Sequence, residues 1–235
     1  MKIRGFTLME MIVTIVIGSF IMLGIAGYAR LGMKGYSDSI DRQRLQTQAQ
    51  FVLEKMSREI RHAVPNSFHE PETGCLEFVP IQYSGFYALA ENDIQFLIGN
   101  DSSLTDIPNN SRMVINPTRY KDLLSSSSQS IEVGGLNKNG DAFTISGTAS
   151  SLGATSVSSR HYIYREGSEI SYCFKNDQVL RNNVIVSENV LTAESNMHYV
   201  EPTLQRGGIV YLDLVFEQDG ERSAYQQDVQ VLNVP

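Results

Sequence analysis

A single carboxylate, Glu10, interrupts an apolar stretch near the N-terminus. It is the only charged side chain between Arg4 and Arg30. An ionised group inside a bilayer costs about 2.5–3.5 kcal/mol on insertion scales, so such a residue is expected to have a partner or a function. The chemistry that this carboxylate can offer is charge pairing with an amine. Cleavage between Gly5 and Phe6 would create such an amine on Phe6, four residues away, although the geometry within one chain is awkward.

The two cysteines are the next residues with chemically reactive side chains. Cys75 and Cys173 are the only cysteines in the chain, so one intramolecular pairing is possible. A disulfide is expected if this part of the chain lies outside the cytoplasm. In the cytosol, two buried thiols would be expected instead.

Other candidates for chemistry are weak. The histidines lack metal-ligand spacing, and there is no Gly-x-Ser-x-Gly or phosphate-binding loop, so we expect no enzyme activity, cofactor or metal. The segment "NKNGD" at 137–141 has oxygen ligands at alternating positions, but it lacks the later glutamate of a calcium loop and favours a plain hairpin. The four histidines are His62, His69, His161 and His198.

The charge distribution separates the chain into unlike parts. Residues 30–63 contain seven Lys/Arg and four Asp/Glu, a balance of +3. Residues 64–235 contain ten Lys/Arg and twenty-one Asp/Glu, a balance of −11. Nucleic-acid binding depends on clustered Lys and Arg, so we expect no nucleic-acid partner for this acidic part.

The N-terminus is not typical of a secretory signal peptide. A basic segment, 1–5, precedes an apolar run over 6–29 that is about long enough to cross a bilayer, and no Ala-x-Ala site follows it. Positive charge before the span and acidic charge after it predict a cytoplasmic N-terminus and an external C-terminus. The candidate processing site therefore lies before the span, and cleavage there would keep the membrane helix.

The stretch "RGFTLMEMIVTIVIGSF" resembles the leader and first helix of type IV prepilins and type II secretion pseudopilins. The resemblance implies cleavage after Gly5 by a prepilin peptidase, N-methylation of Phe6, and pairing of Glu10 with the N-terminal amine of a neighbouring subunit. It also implies partners: other minor and major pilins and an inner-membrane assembly platform. The alternative is a generic signal anchor with a chance glutamate. Many major pilins have a proline near Gly27, which this chain lacks.

A second helical segment is predicted over 30–64. Its apolar residues recur every three to five positions, which favours an amphipathic helix, and Pro65 prevents its continuation. With the span, it predicts one helix of about 58 residues, close to 87 Å long. The apolar stripe comprises Tyr36, Ile40, Leu45, Ala49, Val52, Leu53, Met56, Ile60 and Ala63. The opposite, polar face comprises Arg42, Arg44, Gln48, Lys55, Arg58, Glu59 and Arg61.

Four glycines cluster where the two helical segments meet, and each costs roughly 1 kcal/mol of helix stability relative to alanine. Close helix packing and a hinge that melts on assembly are both compatible with this cluster. The four are Gly24, Gly27, Gly32 and Gly35.

Residues 65–235 are predicted to form a β-rich head. Short segments rich in β-branched and aromatic residues, with hairpin turns at Asn139-Gly140 and Asp219-Gly220, indicate antiparallel strands. A long helix followed by strands indicates an α+β fold in which the helix packs on an antiparallel sheet. The predicted strands are "CLEFVPI", "DIQFLI", "AFTIS", "HYIYRE", "EISYCF", "QVLRN", "IVYLDLVFE" and "YQQDVQVLNV".

Three segments carry a narrower resemblance: "LEKMSREIRHAVPNS", "EISYCFKNDQVLRNN" and "VQVLNVP". They are similar to the MshO group of minor pilins from the mannose-sensitive hemagglutinin (MSHA) pilus, and to the related PilW and J-type pseudopilin group. The resemblance implies a single-pass inner-membrane protein with a periplasmic head that acts in assembly of a type IV pilus. The alternatives are a minor pseudopilin of type II secretion and a pilus-tip adhesin subunit.

Overall fold

One long helix dominates the computed structural model, which describes residues 7–152, 158–203 and 206–231. Helix α1 runs from Leu8 to Arg61 without a break, 54 residues in all. The predicted continuous helix is therefore confirmed. An α+β fold follows, because the described chain after α1 forms sheets in which every strand pair is antiparallel.

The ends of α1 follow from its sequence. Thr7 is the N-cap, and its hydroxyl accepts a hydrogen bond from the backbone N–H of Glu10 at 3.3 Å. Glu10 lies in the first turn, where its carboxylate is favoured by the positive end of the helix dipole. At the other end, His62 is the C-cap and Pro65 follows three residues later.

Only the last third of α1 packs on the head. From Leu45 to Ile60, the stripe residues are buried, as predicted. Tyr36 and Ile40 are not: their side chains are 70% and 38% exposed. Arg42 pairs with Glu221 of the head, but no residue of α1 before Leu45 is buried against the described part of the head. The predicted start of the buried stripe at Tyr36 was therefore wrong.

Thirteen strands form the described part of the head. Their bounds are β1 Cys75–Phe78, β2 Tyr83–Ala90, β3 Asp93–Ile98, β4 Ser111–Val114, β5 Ser130–Glu132, β6 Phe143–Ile145, β7 Arg160–Arg165, β8 Ile170–Lys175, β9 Gln178–Arg181, β10 Val184–Glu188, β11 Asn196–Val200, β12 Ile209–Gln218 and β13 Glu221–Gln230. A 3₁₀ turn spans Tyr120–Leu123, and a short helix, α2, spans Ala149–Leu152.

A first set of strands packs against α1. Two sheets, in the orders β1-β8-β9-β10 and β11-β12-β13, are joined by an antiparallel bridge between Val190 and Phe216. Their inner residues and the helix stripe form one core that includes Met56, Tyr172 and Leu212. This core is the predicted packing of the helix on an antiparallel sheet.

A third sheet, of six strands, has a core of its own. Its order is β5-β4-β7-β2-β3-β6, and its inner residues include Phe96, Phe143 and Ile163. A small cluster containing Val64 and Tyr162 connects it to the chain just beyond the end of α1. The six-stranded sheet is therefore attached at the helix end farthest from the predicted span.

Both predicted hairpin turns are present in the structure, whereas several strands were not predicted. Asp219 and Gly220 have φ angles of 52° and 83°, as a type I′ hairpin requires, and they join β12 to β13. Gly140 also has a positive φ, beside a bridge between Asn139 and Ala142. Strands β2, β4, β5, β10 and β11 were not predicted.

A truncated chain that begins at Arg30 should fold and stay soluble, because it keeps the buried stripe and loses the apolar span. A chain that begins at Asn66 should aggregate or melt near room temperature. Burial of Leu45, Val52 or Met56 contributes roughly 1.5–3 kcal/mol each, against a total stability of about 5–15 kcal/mol for a typical domain. Circular dichroism during heating measures both midpoints.

Two substitutions in the longer chain provide the matched control. Met56→Ala, in the core, should lower the free energy of unfolding by about 2–5 kcal/mol. Met33→Ala should change it little, since Met33 is 73% exposed. Equal midpoints for the two truncated chains would mean that the helix is not part of the head's core.

Candidate functional site

The N-terminal turn of α1 presents Glu10, which has no ion-pair partner among the described residues. Its side chain is exposed, and no cation among residues 7–152, 158–203 and 206–231 lies within ion-pair distance of its carboxylate. Gly5 and Phe6, the predicted processing residues, lie outside the described residues. The carboxylate is thus available to a group from outside the described chain.

The helix around Glu10 has the length and composition of a membrane span. An 18-residue stretch of α1 is apolar enough to cross a bilayer, and none of it is buried in the head. Side chains such as Leu8, Phe20 and Met22 are 70–79% exposed. An apolar surface of this size is not expected in water, so it requires lipid or other protein around it.

The glycine cluster lies within this uncovered helix. A Cβ atom added at Gly24, Gly27, Gly32 or Gly35 would meet nothing within 4 Å. The helix is continuous through all four positions. Any close packing that these glycines allow is therefore with a second molecule, and the hinge hypothesis stays a prediction.

Glu59 holds the upper part of α1 on the first set of strands. Its carboxylate accepts hydrogen bonds from Tyr172 Oη at 2.8 Å and Arg181 Nε at 2.9 Å, and Lys55 Nζ lies 3.4 Å away. Burial by itself would raise the pKa of Glu59. The hydrogen bonds from Arg181 and Tyr172 and the charges of Arg181 and Lys55 outweigh burial, so the pKa is lowered.

Gln48 makes the corresponding contact lower on the helix. Its side-chain Nε2 donates to Ser187 Oγ at 2.8 Å and to the carbonyl oxygen of Glu188 at 2.9 Å. Both Gln48 and Glu59 had been assigned to the outward polar face of the helix, which was wrong. No sequence signal identifies their partners, which lie more than 110 residues farther along the chain.

The cysteines form a disulfide across paired strands. Cys75 on β1 is the direct partner of Cys173 on β8, with their Cα atoms 4.1 Å apart. Directly opposed residues in a non-hydrogen-bonded antiparallel pair lie about 4.5 Å apart, so the strands already bring the two sulfur atoms together. The bond closes a sequence separation of 98 residues.

The residues considered for metal binding or catalysis do not assemble. Among the described residues, the one group with ligand atoms close together is Glu72 with the two disulfide cysteines, whose sulfurs are already bonded. His161 is fully buried on the six-stranded sheet, where it packs edge-on against Phe96 at 5.0 Å. Burial lowers the pKa of His161 to about 4, so its ring is neutral at pH 7.

Loss of the disulfide should destabilise the head. Cys173→Ser should lower the free energy of unfolding by about 2–5 kcal/mol, measured by urea titration of the chain that begins at Arg30. The double variant Cys75→Ser/Cys173→Ser should cost no more than the single variant, since both remove the same bond. Two titratable thiols in the native protein, isolated without a reductant, would contradict the assignment.

Glu59 should make the stability of the head depend on pH. A carboxyl whose folded-state pKa lies below its ordinary value of 4.5 stabilises the fold above that value, and this contribution is lost as the pH falls below it. Glu59→Gln should lower the free energy of unfolding by about 1.5–3 kcal/mol at pH 7 and by less at pH 3.

Glu54→Gln is the matched control for this measurement. Glu54 also lies on α1 and pairs with Arg58, but its side chain is 69% exposed, so its removal should change stability little. An equal loss of stability at pH 7 and pH 3 for Glu59→Gln would show that its charge does not contribute.

Comparison with known proteins gives a match at the N-terminus of the chain. The family model of the prokaryotic N-terminal methylation motif matches residues 1–26, which contain Gly5, Phe6 and Glu10. Searches of curated proteins and of solved structures gave no match. The motif, the apolar N-terminal helix and the antiparallel head together support a type IV pilin-like protein, a structural subunit of a pilus or pseudopilus rather than an enzyme.

Proposed function

We propose that the chain is a minor pilin that acts in the assembly of a type IV pilus of the MSHA type, at low copy number near the tip or in the initiating complex. The observation that carries this proposal is Glu10, which has no cationic partner among the described residues and lies in the first turn of an uncovered apolar helix. The three head segments that resemble MSHA-type minor pilins favour this system over type II secretion.

Processing is the first step of the proposed function. A prepilin peptidase cuts after Gly5, and the new N-terminal residue, Phe6, is methylated. The match of the methylation motif to residues 1–26 supports this step. A glycine before the cleaved bond lets an enzyme approach the backbone closely, because glycine has no side chain to clash.

Pairing of Glu10 with the Phe6 amine of a neighbouring subunit is the second step. Thr7 uses its hydroxyl to cap the backbone N–H of Glu10, and the carboxylate itself stays exposed. A carboxylate in lipid is stabilised when an opposite charge lies beside it. Entry of a neighbouring subunit that brings its Phe6 amine next to Glu10 therefore favours assembly.

The proposed location is the inner membrane, with a periplasmic head. Lys2 and Arg4 precede the span, and by the positive-inside rule they favour a cytoplasmic N-terminus. The disulfide between Cys75 and Cys173 fits an oxidising compartment on the other side.

Glu10→Ala tests the pairing step. The variant should insert into the membrane and be processed, but its amount in sheared pili should fall at least about tenfold, a loss that corresponds to 1.4 kcal/mol of association free energy. Immunoblots of membrane and pilus fractions measure both pools. Glu54→Ala, an exposed glutamate on the same helix, should be incorporated normally.

Two further strains separate the proposal from its alternatives. Gly5→Val should leave an uncut, membrane-held precursor, and mass spectrometry would detect Phe6 as the N-terminus if this expectation were wrong. Deletion of the chain should reduce pili and leave protein secretion intact. Loss of secretion with normal pili would indicate a type II secretion pseudopilin instead.

A further inference from the structure

The six-stranded sheet exposes an aromatic residue in the middle of a strand. Phe86 on β2 is 58% exposed, and its neighbour across β3, Leu97, is 49% exposed. Arg160 on β7 is the partner of Phe86 on the other side, so all three side chains lie on the same face of the sheet. This face is opposite to the one that forms the core of the sheet.

A cationic hollow adjoins the ring. Arg160 Cζ lies 5.8 Å from the centre of the Phe86 ring, and no carboxylate in the described part of the chain lies within ion-pair distance of Arg160. The hollow has a volume of about 350 Å³ and no acidic side chain in its described lining. We call it the Phe86 cleft, and its lining includes Ser84, Gly85, Phe86, Gly99, Asn100 and Arg160.

The floor of the Phe86 cleft is fixed by backbone contacts. A Cβ atom at Gly85 would lie 1.8 Å from the carbonyl oxygen of Leu97, so only glycine fits there. The side chain of Asn100 accepts from the backbone N–H of Ser84 and donates to the carbonyl oxygen of Gln82, both at 3.0 Å. The cleft is therefore formed before any partner binds, which lowers the entropic cost of binding.

Charge and position together indicate the kind of occupant. The head has a balance of −11, so a guanidinium that has no carboxylate partner among the described residues and lies beside an exposed ring is a local exception that attracts anionic groups. The sheet is attached beyond the last turn of α1, at the opposite end of a 54-residue helix from the apolar span. A lipid surface is thus a poor candidate, and another protein head is a good one.

We propose that the Phe86 cleft binds a segment of another pilin-like subunit that carries an Asp or Glu beside an apolar side chain. The carboxylate pairs with Arg160, and the apolar side chain packs on Phe86 and Leu97. This inference rests on the proposed function, because it names the surface through which the head contacts a neighbouring subunit in the assembly.

Charge reversal tests the pairing in the full chain. Arg160→Glu should reduce recovery of the chain in sheared pili, or in complexes with its co-encoded pilins, by about tenfold or more. Arg165→Glu is the matched control, since Arg165 is an exposed arginine on the same strand but does not line the cleft. Equal effects of the two substitutions overturn the proposal.

Photocrosslinking identifies the occupant. Benzoylphenylalanine in place of Phe86 should crosslink to an acidic segment of another pilin-like subunit, whereas the same replacement of Leu89, exposed on the opposite face of β2, should not. Reversal of the acidic residue in that segment to Arg should restore incorporation of Arg160→Glu. A crosslink only to a second copy of this chain, or none at position 86, overturns the proposed occupant.

Different results refute the proposed function and the proposed role of the Phe86 cleft. If the wild-type chain is neither processed nor incorporated, the proposed function is refuted, and the proposed occupant with it. If it is incorporated normally and Arg160→Glu behaves like Arg165→Glu, only the role of the Phe86 cleft is refuted.

Discussion

One uninterrupted helix has an uncovered apolar part and a part that is buried in the head. The rest of the molecule depends on this difference along the helix. Before Leu45, none of its apolar side chains is buried against the described part of the head, while from Leu45 to Ile60 they are the centre of its main core. An apolar stripe alone specifies register weakly, because side chains one turn apart present similar surfaces. The hydrogen bonds of Gln48 and Glu59, near the two ends of the docked segment, fit a single register.

The elements that depend on local sequence were predictable, and those that depend on distant partners were not. Thr7 caps the start of α1, and Pro65 follows its end. The apolar periodicity determines which face of the helix is buried. The first buried residue is set instead by how far the β12–β13 hairpin reaches, which the helix sequence does not record. For the same reason Glu59 resembles any other surface glutamate until Tyr172 and Arg181 are placed beside it.

Local sequence patterns also could not predict how the strands divide among three sheets. Strands β7 and β8 are separated by only four residues, yet they belong to different sheets. Strand β2 contains Gly85 and three alanine or serine residues, which gives it a weak strand signal. Of the candidate site, the sequence indicated Glu10 and the cysteine pair. The Phe86 cleft could not be predicted, since it combines three strands that pair only in the folded head.

The disulfide has a mechanical consequence. Strands β1 and β8 pair like the two arms of a hairpin, and the whole six-stranded sheet is inserted between them. A pulling force on the helix enters the head both through the packed surface from Leu45 to Ile60 and along the chain through residues 62–74, which lead to Cys75. Because Cys75 is covalently joined to Cys173, the load along the chain passes directly into β8 and bypasses the covalent path through the inserted sheet. A filament subunit built in this way can bear tension through its helix-bound strands while the six-stranded sheet keeps its shape.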